Sequence, residues 1–421
     1  MTGQGARAVI GQTTFTSQTF GSSNTQIGGA GGLAFGNNTL FVADSNRVGL
    51  TPVNNRVLMY GNLSAILPSP TAAIPTNSRC PVCISNITNI LGQPANAPEQ
   101  NPPDPAGTSS TLMNLAVGVA TDGVRVAVAD TNNNRVLLWL SFPTSFDQPA
   151  DVILGQPDFN TVTQPVVVNA SSMRAPEGVW INNGKLFVAD TQNNRVLIWN
   201  SIPTANNKPA DIVLGQPDFT TVPQFDQTKS SLIASATTML SPTSVSTDSS
   251  GTHLIVTDLG FNRVLIWNQI PTANTAPADV EVGQKDMVTA IADDSTGHCA
   301  SNGVDSNNNP TYPNMCAAVM SFPRFAITDD TRLFVADGGN DRVMIWNALP
   351  TQSGAKADVI LGEPDEFSDV VTNSNSQFGG TDQTISASNV TPTPTSLAWD
   401  GTNLYVADPL DFRILVFTPE A

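Results

Sequence analysis

The chain has 421 residues and a formal net charge of −17, and only 13% of its residues are charged. A surface this acidic repels phosphate groups, which argues against nucleic-acid binding. No apolar stretch approaches the roughly 20 residues that a membrane-spanning helix needs, so membrane insertion is not expected.

The first predicted element is an apolar run at 6–15 that returns farther along the chain. It reads ARAVIGQTTF and recurs as ADVILGQPDF at 150–159 and ADIVLGQPDF at 210–219. Runs of this length, rich in Val and Ile and closed by Gly and Pro, are typical of short strands. Later copies follow a hairpin, whereas the first copy has none before it.

Six predicted hairpins follow this first strand. In each, an apolar run ends in Asp, a turn rich in Asn, Gly and Asp comes next, and a second apolar run begins. A further strand, opened by Pro in four copies, precedes the hairpin, so each unit has four antiparallel strands. A unit of this kind, repeated six times, predicts the blades of a β-propeller. The hairpins are expected near 40–60, 124–139, 185–199, 253–267, 332–346 and 403–417.

The last unit stops at its third strand and has no fourth strand after it. We therefore expect residues 6–15 to supply its outer strand, because this closes the ring and removes an open sheet edge. The predicted fold class is all-β, a single six-bladed β-propeller of four-stranded antiparallel blades over residues 1–421. The same strand could instead complete a neighbouring molecule and build a homopolymer by strand exchange.

The repeated pattern of Pro-x-Gly, an apolar strand, VAD, a polar loop and NRV followed by an aromatic residue resembles the NHL-repeat propellers. Segments of the GQPDF and IPT-x-N type between the repeats are similar to the bacterial secreted or surface members. The resemblance covers nearly the whole chain and implies a six-bladed disc. The family and its relatives include protein-binding and RNA-binding modules, lyases and lactone hydrolases, so the resemblance does not choose a function.

The repeated Asp and Arg of each hairpin are interpreted as structural. Asp can accept hydrogen bonds from loop amides, and Arg can donate in a fork to carboxylates or carbonyls. Sixfold repetition indicates architecture, since an active site needs a unique set of residues. The residues are Asp44, Asp130, Arg135, Asp190, Arg195, Asp258, Arg263, Asp337, Arg342, Asp408 and Arg413.

Four cysteines fall in two local pairs. Cys80 and Cys83 lie in an insertion of the first unit, and Cys299 and Cys316 flank a polar insertion before the fifth. We expect two disulfides, hence an oxidising compartment and an extracellular or cell-surface protein. A zinc site made by all four, or free thiols, are the alternatives. No signal peptide precedes the first strand, so we expect the numbering to be that of a mature chain.

The connectors that enter the innermost strands are long and dissimilar, whereas those on the opposite face are near copies of one another. Variable loops on a rigid scaffold carry function, so this face is the predicted binding face. Glu177, Arg324, Thr243 and Thr395 follow the Pro position at the channel mouth and are the candidate binding residues. Only Glu177 and Arg324 in this set are charged, and they are expected to meet across the opening.

No catalytic set is predicted. Two histidines are too few for a histidine-rich zinc centre, and Asp305, Asn307 and Asn309 resemble a calcium loop but lack its glycine and closing Glu. A structural calcium ion is therefore the one candidate cofactor. The first hypothesis is a non-catalytic scaffold, secreted or on the cell surface, that binds a protein or glycan partner. The second is a lactonase- or lyase-like enzyme with a divalent metal in the channel and Glu177 among its ligands.

Overall fold

The computed structural model describes residues 2, 4–45, 54–67, 69, 83–84, 87–93, 109–221, 233–369 and 393–418. Their strands form six blade sheets and one separate two-stranded hairpin, and the innermost strands of the blades contact one another in sequence around a closed ring. This confirms the six-bladed β-propeller predicted from the repeats. In this part of the chain no helix has the length and apolar character needed to cross a bilayer.

The strands of each blade are given from the axis outward. Blade 1 contains β2 (Ala30–Gly36), β3 (Thr39–Asp44), β4 (Arg56–Gly61) and β6 (Asn89–Leu91). Blade 2 contains β7 (Ala116–Thr121), β8 (Val126–Asp130), β9 (Arg135–Trp139) and β10 (Val152–Leu154). Blade 3 contains β11 (Gly178–Asn182), β12 (Lys185–Asp190), β13 (Arg195–Trp199) and β14 (Ile212–Leu214).

Blade 4 contains β15 (Pro242–Thr247), β16 (Leu254–Asp258), β17 (Arg263–Trp267) and β18 (Val280–Val282). Blade 5 contains β21 (Pro323–Thr328), β22 (Leu333–Asp337), β23 (Arg342–Trp346) and β24 (Val359–Leu361). Blade 6 contains β25 (Leu397–Trp399), β26 (Leu404–Asp408), β27 (Arg413–Phe417), β1 (Ala8–Ile10) and β5 (Cys83–Ile84). A small hairpin, β19 (Gly303–Val304) with β20 (Pro310–Thr311), lies outside the blades, and short 3-10 helices span Leu63–Ala65, Thr131–Asn133, Thr191–Asn193 and Leu259–Phe261.

The core lies between the blades. In blade 3, Val188 and Leu197 belong to the buried cluster shared with blade 2, whereas Phe187 and Ile198 belong to the cluster shared with blade 4. Successive side chains of a strand point to opposite faces of its sheet, so one strand fills two blade interfaces. This explains why the LFVAD and RVLIW runs are apolar throughout instead of alternating with polar residues.

The ring is closed within the chain, as predicted. Strand β1 pairs antiparallel with β27, and Ala8 lies opposite Val416. A second segment was not expected: β5, from the insertion of blade 1, pairs in parallel with the outer edge of β1. The N–H of Gly11 also donates to the carbonyl of Ile84 at 3.0 Å. Blade 6 therefore has five strands. The insertion covers an edge of β1 that would otherwise be open.

A loop of the following blade covers the outer edge of each of blades 2 and 3. The N–H of Ile153, in the middle of β10, donates to Asn206 Oδ1 at 3.1 Å, and the N–H of Asn207 donates to the carbonyl of Ile153 at 2.7 Å. The loop is also bound to its own blade, since the indole N–H of Trp199 donates to the carbonyl of Lys208 at 3.0 Å. We call these segments edge loops. They occupy the backbone groups that another strand would need.

Candidate functional site

Each hairpin is held by a buried Asp–Arg pair. In blade 3, Arg195 Nε donates to Asp190 Oδ2 at 2.8 Å, and the rest of the guanidinium donates to the carbonyls of Phe219, Asn169 and Ser172 at 2.9–3.0 Å. Those carbonyls belong to the variable connectors, so the pair fixes the connectors to the hairpin. The pairs of the other blades are Asp44–Arg56, Asp130–Arg135, Asp258–Arg263, Asp337–Arg342 and Asp408–Arg413.

In blades 1 to 5, the residue before the Arg connects one blade to the next. Asn134, Asn194 and Asn262 have left-handed φ values of 54–55°, a conformation that Asn tolerates. Their Oδ1 atoms accept backbone N–H groups at the entry to the next innermost strand, at 2.8–3.0 Å. In blade 5, Asp341 takes this position, and burial raises the pKa of its carboxyl to about 7. The sequence predicted a turn here but not this link between blades.

The connectors that enter the innermost strands form what we call the variable face. It comprises 11–29, 109–115, 157–175, 215–221, 233–241, 283–322 and 362–369 of the described chain. Of the twelve large hydrophobic side chains that are exposed in the described residues, nine lie on this face. They are Phe20, Val166, Val167, Ile233, Val288, Ile291, Val304, Phe322 and Phe367.

The disulfide between Cys299 and Cys316 is confirmed, with the two Cα atoms 5.9 Å apart. It packs in a small buried cluster with Val319, and Arg342 donates to the carbonyls of Cys316 and Val319 at 3.2 and 2.9 Å. The longest described connector is therefore fixed to blade 5. Cys80 lies outside the described residues, so the pairing of Cys80 with Cys83 stays a prediction.

The candidate calcium residues lie in the turn of the β19–β20 hairpin. Asp305 Oδ1 accepts the N–H groups of Asn307 and Asn309, both at 2.8 Å, and Oδ2 accepts Asn309 Nδ2 at 3.1 Å. The carboxylate thus serves its own turn. Nowhere in the described ranges are three or more His, Cys, Asp or Glu side chains placed to hold a metal ion.

The structure does not place Thr243 and Thr395 at an open channel mouth. Both are buried, and their hydroxyls donate to the carbonyls of Arg324 and Ala30 in the neighbouring blades at 2.9 and 2.7 Å. They connect innermost strands, which pack too closely for these side chains to reach a ligand. Glu177 and Arg324 are half-buried at the starts of their strands. Their contact across the opening stays a prediction.

A cavity of about 630 Å³ lies on the axis at the face opposite the variable face. All six blades contribute to it through the ends of their innermost strands and the turns that follow. We call it the axial cavity. Its walls include Phe35, Trp180 and Trp399. Among the described residues, no Lys, Arg or His lines it. Four carboxylates do so: Asp122, Asp248, Asp329 and Asp330.

Trp180 reaches across the axis. Its ring packs both against the cluster between blades 3 and 4 and against the cluster that contains Ile327 and Leu397 of blades 5 and 6. Its indole N–H donates to Thr247 Oγ1 at 3.0 Å. The spacing of residues in the sequence did not predict this cavity, because Trp180 lies in a strand, where an aromatic residue indicates the hydrophobic core. The only signal was an Asp just after the innermost strand in several units.

No protein-family model and no curated protein gives a significant match to the chain. Among solved structures, the chain is similar to a structural genomics protein of unknown function from Bacteroides thetaiotaomicron. The TM-score is 0.47 and the identity 13%, over 99% of this chain and 75% of that one. The Cps50 (Swd1) β-propeller domain of Myceliophteria thermophila gives a TM-score of 0.42 and 10% identity, over 98% and 99% of the two chains.

Proposed function

We propose that the protein is a non-catalytic NHL-type propeller, secreted or displayed on the cell surface, that binds a protein partner through its variable face. The observation that carries this proposal is the concentration of exposed apolar side chains there. Val166, for example, is 97% exposed. Covering such side chains with a partner gains about 25 cal/mol per Å² of apolar area.

The anchoring of the described connector residues supports the same face. Each Arg of the hairpin pairs holds connector carbonyls in place, and the disulfide between Cys299 and Cys316 fixes the longest described connector. A surface that is already ordered loses little conformational entropy when a partner binds. On the opposite face the edge loops are engaged with the neighbouring blade, which leaves fewer groups for a partner. The disulfide also fits an oxidising, extracellular setting.

Introducing charges on one face at a time tests this assignment. Val166→Asp with Val167→Asp places two charges on the variable face, and Ile66→Asp with Val124→Asp places two on the opposite face. All four side chains are exposed, so both double variants should fold as the wild type does. We expect immobilised wild type and the opposite-face variant to retain the same protein from the cell envelope of the source organism, and the variable-face variant to lose it.

The captured protein is then identified by mass spectrometry, and its affinity for each variant is measured by calorimetry. Equal affinities for the two double variants would refute the choice of face. Capture that survives protease treatment of the envelope fraction but is destroyed by periodate would show a glycan partner and refute the protein partner.

A further inference from the structure

We propose a second, independent site: the axial cavity binds an organic cation, an ammonium or guanidinium group, through its aromatic walls and negative rim. The site lies on the face opposite the proposed protein interface and does not depend on it. A cavity of about 630 Å³ is within the size range of ligand pockets, and its mixture of aromatic rings with a few polar groups is typical of them.

The charge around the cavity favours a cation. Arg125 pairs with Asp122 at 2.8 Å and Arg332 pairs with Asp329, while His253 Nδ1 lies 2.8 Å from Asp248 Oδ2. Asp330 differs, because its carboxylate accepts hydrogen bonds from the neutral N–H and hydroxyl of Ser249, at 2.6 and 2.5 Å. Its charge is therefore not balanced by these donors. Asp330 therefore gives the rim a net negative charge, and a negative potential in a concave site concentrates cations.

The aromatic walls are suited to the same kind of ligand. Trp180 lines the cavity and is half-buried, and its indole N–H is already bound to Thr247. Trp399 stacks on Phe334 with centroids 5.7 Å apart, and the guanidinium carbon of Arg332 lies 5.2 Å from both centroids. The face of an aromatic ring attracts cations electrostatically. This wall thus already holds one guanidinium.

The hydrogen bonds of the rim carboxylates favour an organic cation over a metal ion as the ligand. Asp122 Oδ1 accepts two backbone N–H groups of its own turn at 3.0 and 2.7 Å, and Asp329 Oδ1 accepts another two. Carboxylates fixed in this way act by their charge at a distance, whereas a metal ion needs several oxygens converging on one point. A large cation with diffuse charge needs only the field and the rings. Anions are repelled by the same carboxylates.

The test uses the full chain and pairs of ligands that differ in charge. Choline and its neutral isostere 3,3-dimethyl-1-butanol are titrated by calorimetry and by tryptophan fluorescence, with agmatine as a free guanidinium and a blocked Gly-Arg-Gly peptide as a side-chain guanidinium. We expect the cation to bind about tenfold more tightly than its isostere, the scale of a partly desolvated cation–π contact. Comparison of agmatine with the peptide shows whether a small molecule or a partner side chain is the better source of the cation.

Two variants remove one charge each, Asp330→Asn at the cavity and Asp305→Asn on the variable face. We expect Asp330→Asn to weaken choline binding several-fold and to reduce its dependence on salt, with Asp305→Asn unchanged. Trp180→Leu, checked for folding by circular dichroism, should weaken choline binding as well. Equal binding of choline and its isostere would overturn the proposal, as would equal effects of the two Asp variants. Binding of glucose or galactose with no effect of Asp330→Asn would likewise overturn it, since it would indicate a sugar site.

Discussion

Replacing Arg195 by Ala tests what holds a blade together. Arg195 donates one hydrogen bond to Asp190 and three to connector carbonyls, and both side chains are fully buried. The substitution removes all four bonds. Asp190 then keeps the side-chain amide of Asn193 at 2.8 Å and the backbone N–H of Arg174 at 2.7 Å, but it loses the guanidinium that pairs with it.

We expect the free energy of unfolding to fall by about 4 kcal/mol at pH 7, because removal of one partner of a buried ion pair costs about 3–5 kcal/mol. Protonation of Asp190 limits this loss. Burial already raises the pKa of Asp190, and Arg195 opposes the rise, so the pKa rises further in the variant. A carboxyl whose pKa is raised in the folded state loses stabilisation as pH increases, so the loss should be larger at pH 8 than at pH 5.

The measurement is urea unfolding followed by tryptophan fluorescence and circular dichroism. Arg125→Ala is the matched control. Arg125 pairs with Asp122 at 2.8 Å, but its side chain is 35% exposed, and such surface pairs contribute about 0–1 kcal/mol. If the two variants lose the same stability, the interpretation of the repeated Arg as an architectural residue is wrong.

Three further substitutions examine single features. Burial raises the pKa of Glu281 from 4.5 to about 7, so the folded state loses stability as pH rises through this range, and Glu281→Gln should flatten the decline of the unfolding free energy between pH 5 and 8. An unchanged dependence on pH in urea titrations would contradict this. Asn194→Ala should be less stable than Asn194→Gly by about 1 kcal/mol and unfold at a lower temperature, because Gly adopts the left-handed φ of 54° without the strain that Ala incurs. Equal melting temperatures would exclude such strain. Gly118→Ala places its Cβ 2.1 Å from the carbonyl oxygen of Glu177, so it should lower the melting temperature more than Gly184→Ala, where the backbone φ is positive but the Cβ meets nothing within 4 Å. The reverse order would refute close packing of the innermost strands.

The sequence predicted the blades because each strand is buried on both faces, so its apolar pattern is strong and repeats. Ring closure followed from the same pattern, since residues 6–15 copy a fourth strand. The pairing of β5 could not be predicted, because a two-residue parallel contact carries no repeat. Arg56 was also missed as the partner of Asp44, since it follows twelve residues later instead of five.

The sites were less predictable than the blades. The positions of Thr243 and Thr395 near the axis suggested the channel mouth, but which way an innermost side chain points depends on the tilt of its blade. The axial cavity depends on the same tilt, because it brings together turns that are distant in sequence. The exposed side chains of the variable face could be anticipated only as variable loops, since exposure follows from packing.

In a linear array of repeats, the first and last units each lack a neighbour, and structure frays from these ends. A closed disc has no terminal unit, so disorder must begin at its weakest junction. Here that junction is the seam of blade 6, where the three residues of β1 join the chain to itself only through hydrogen bonds and packing. Hydrogen exchange should therefore begin at this seam and spread around the disc in both directions.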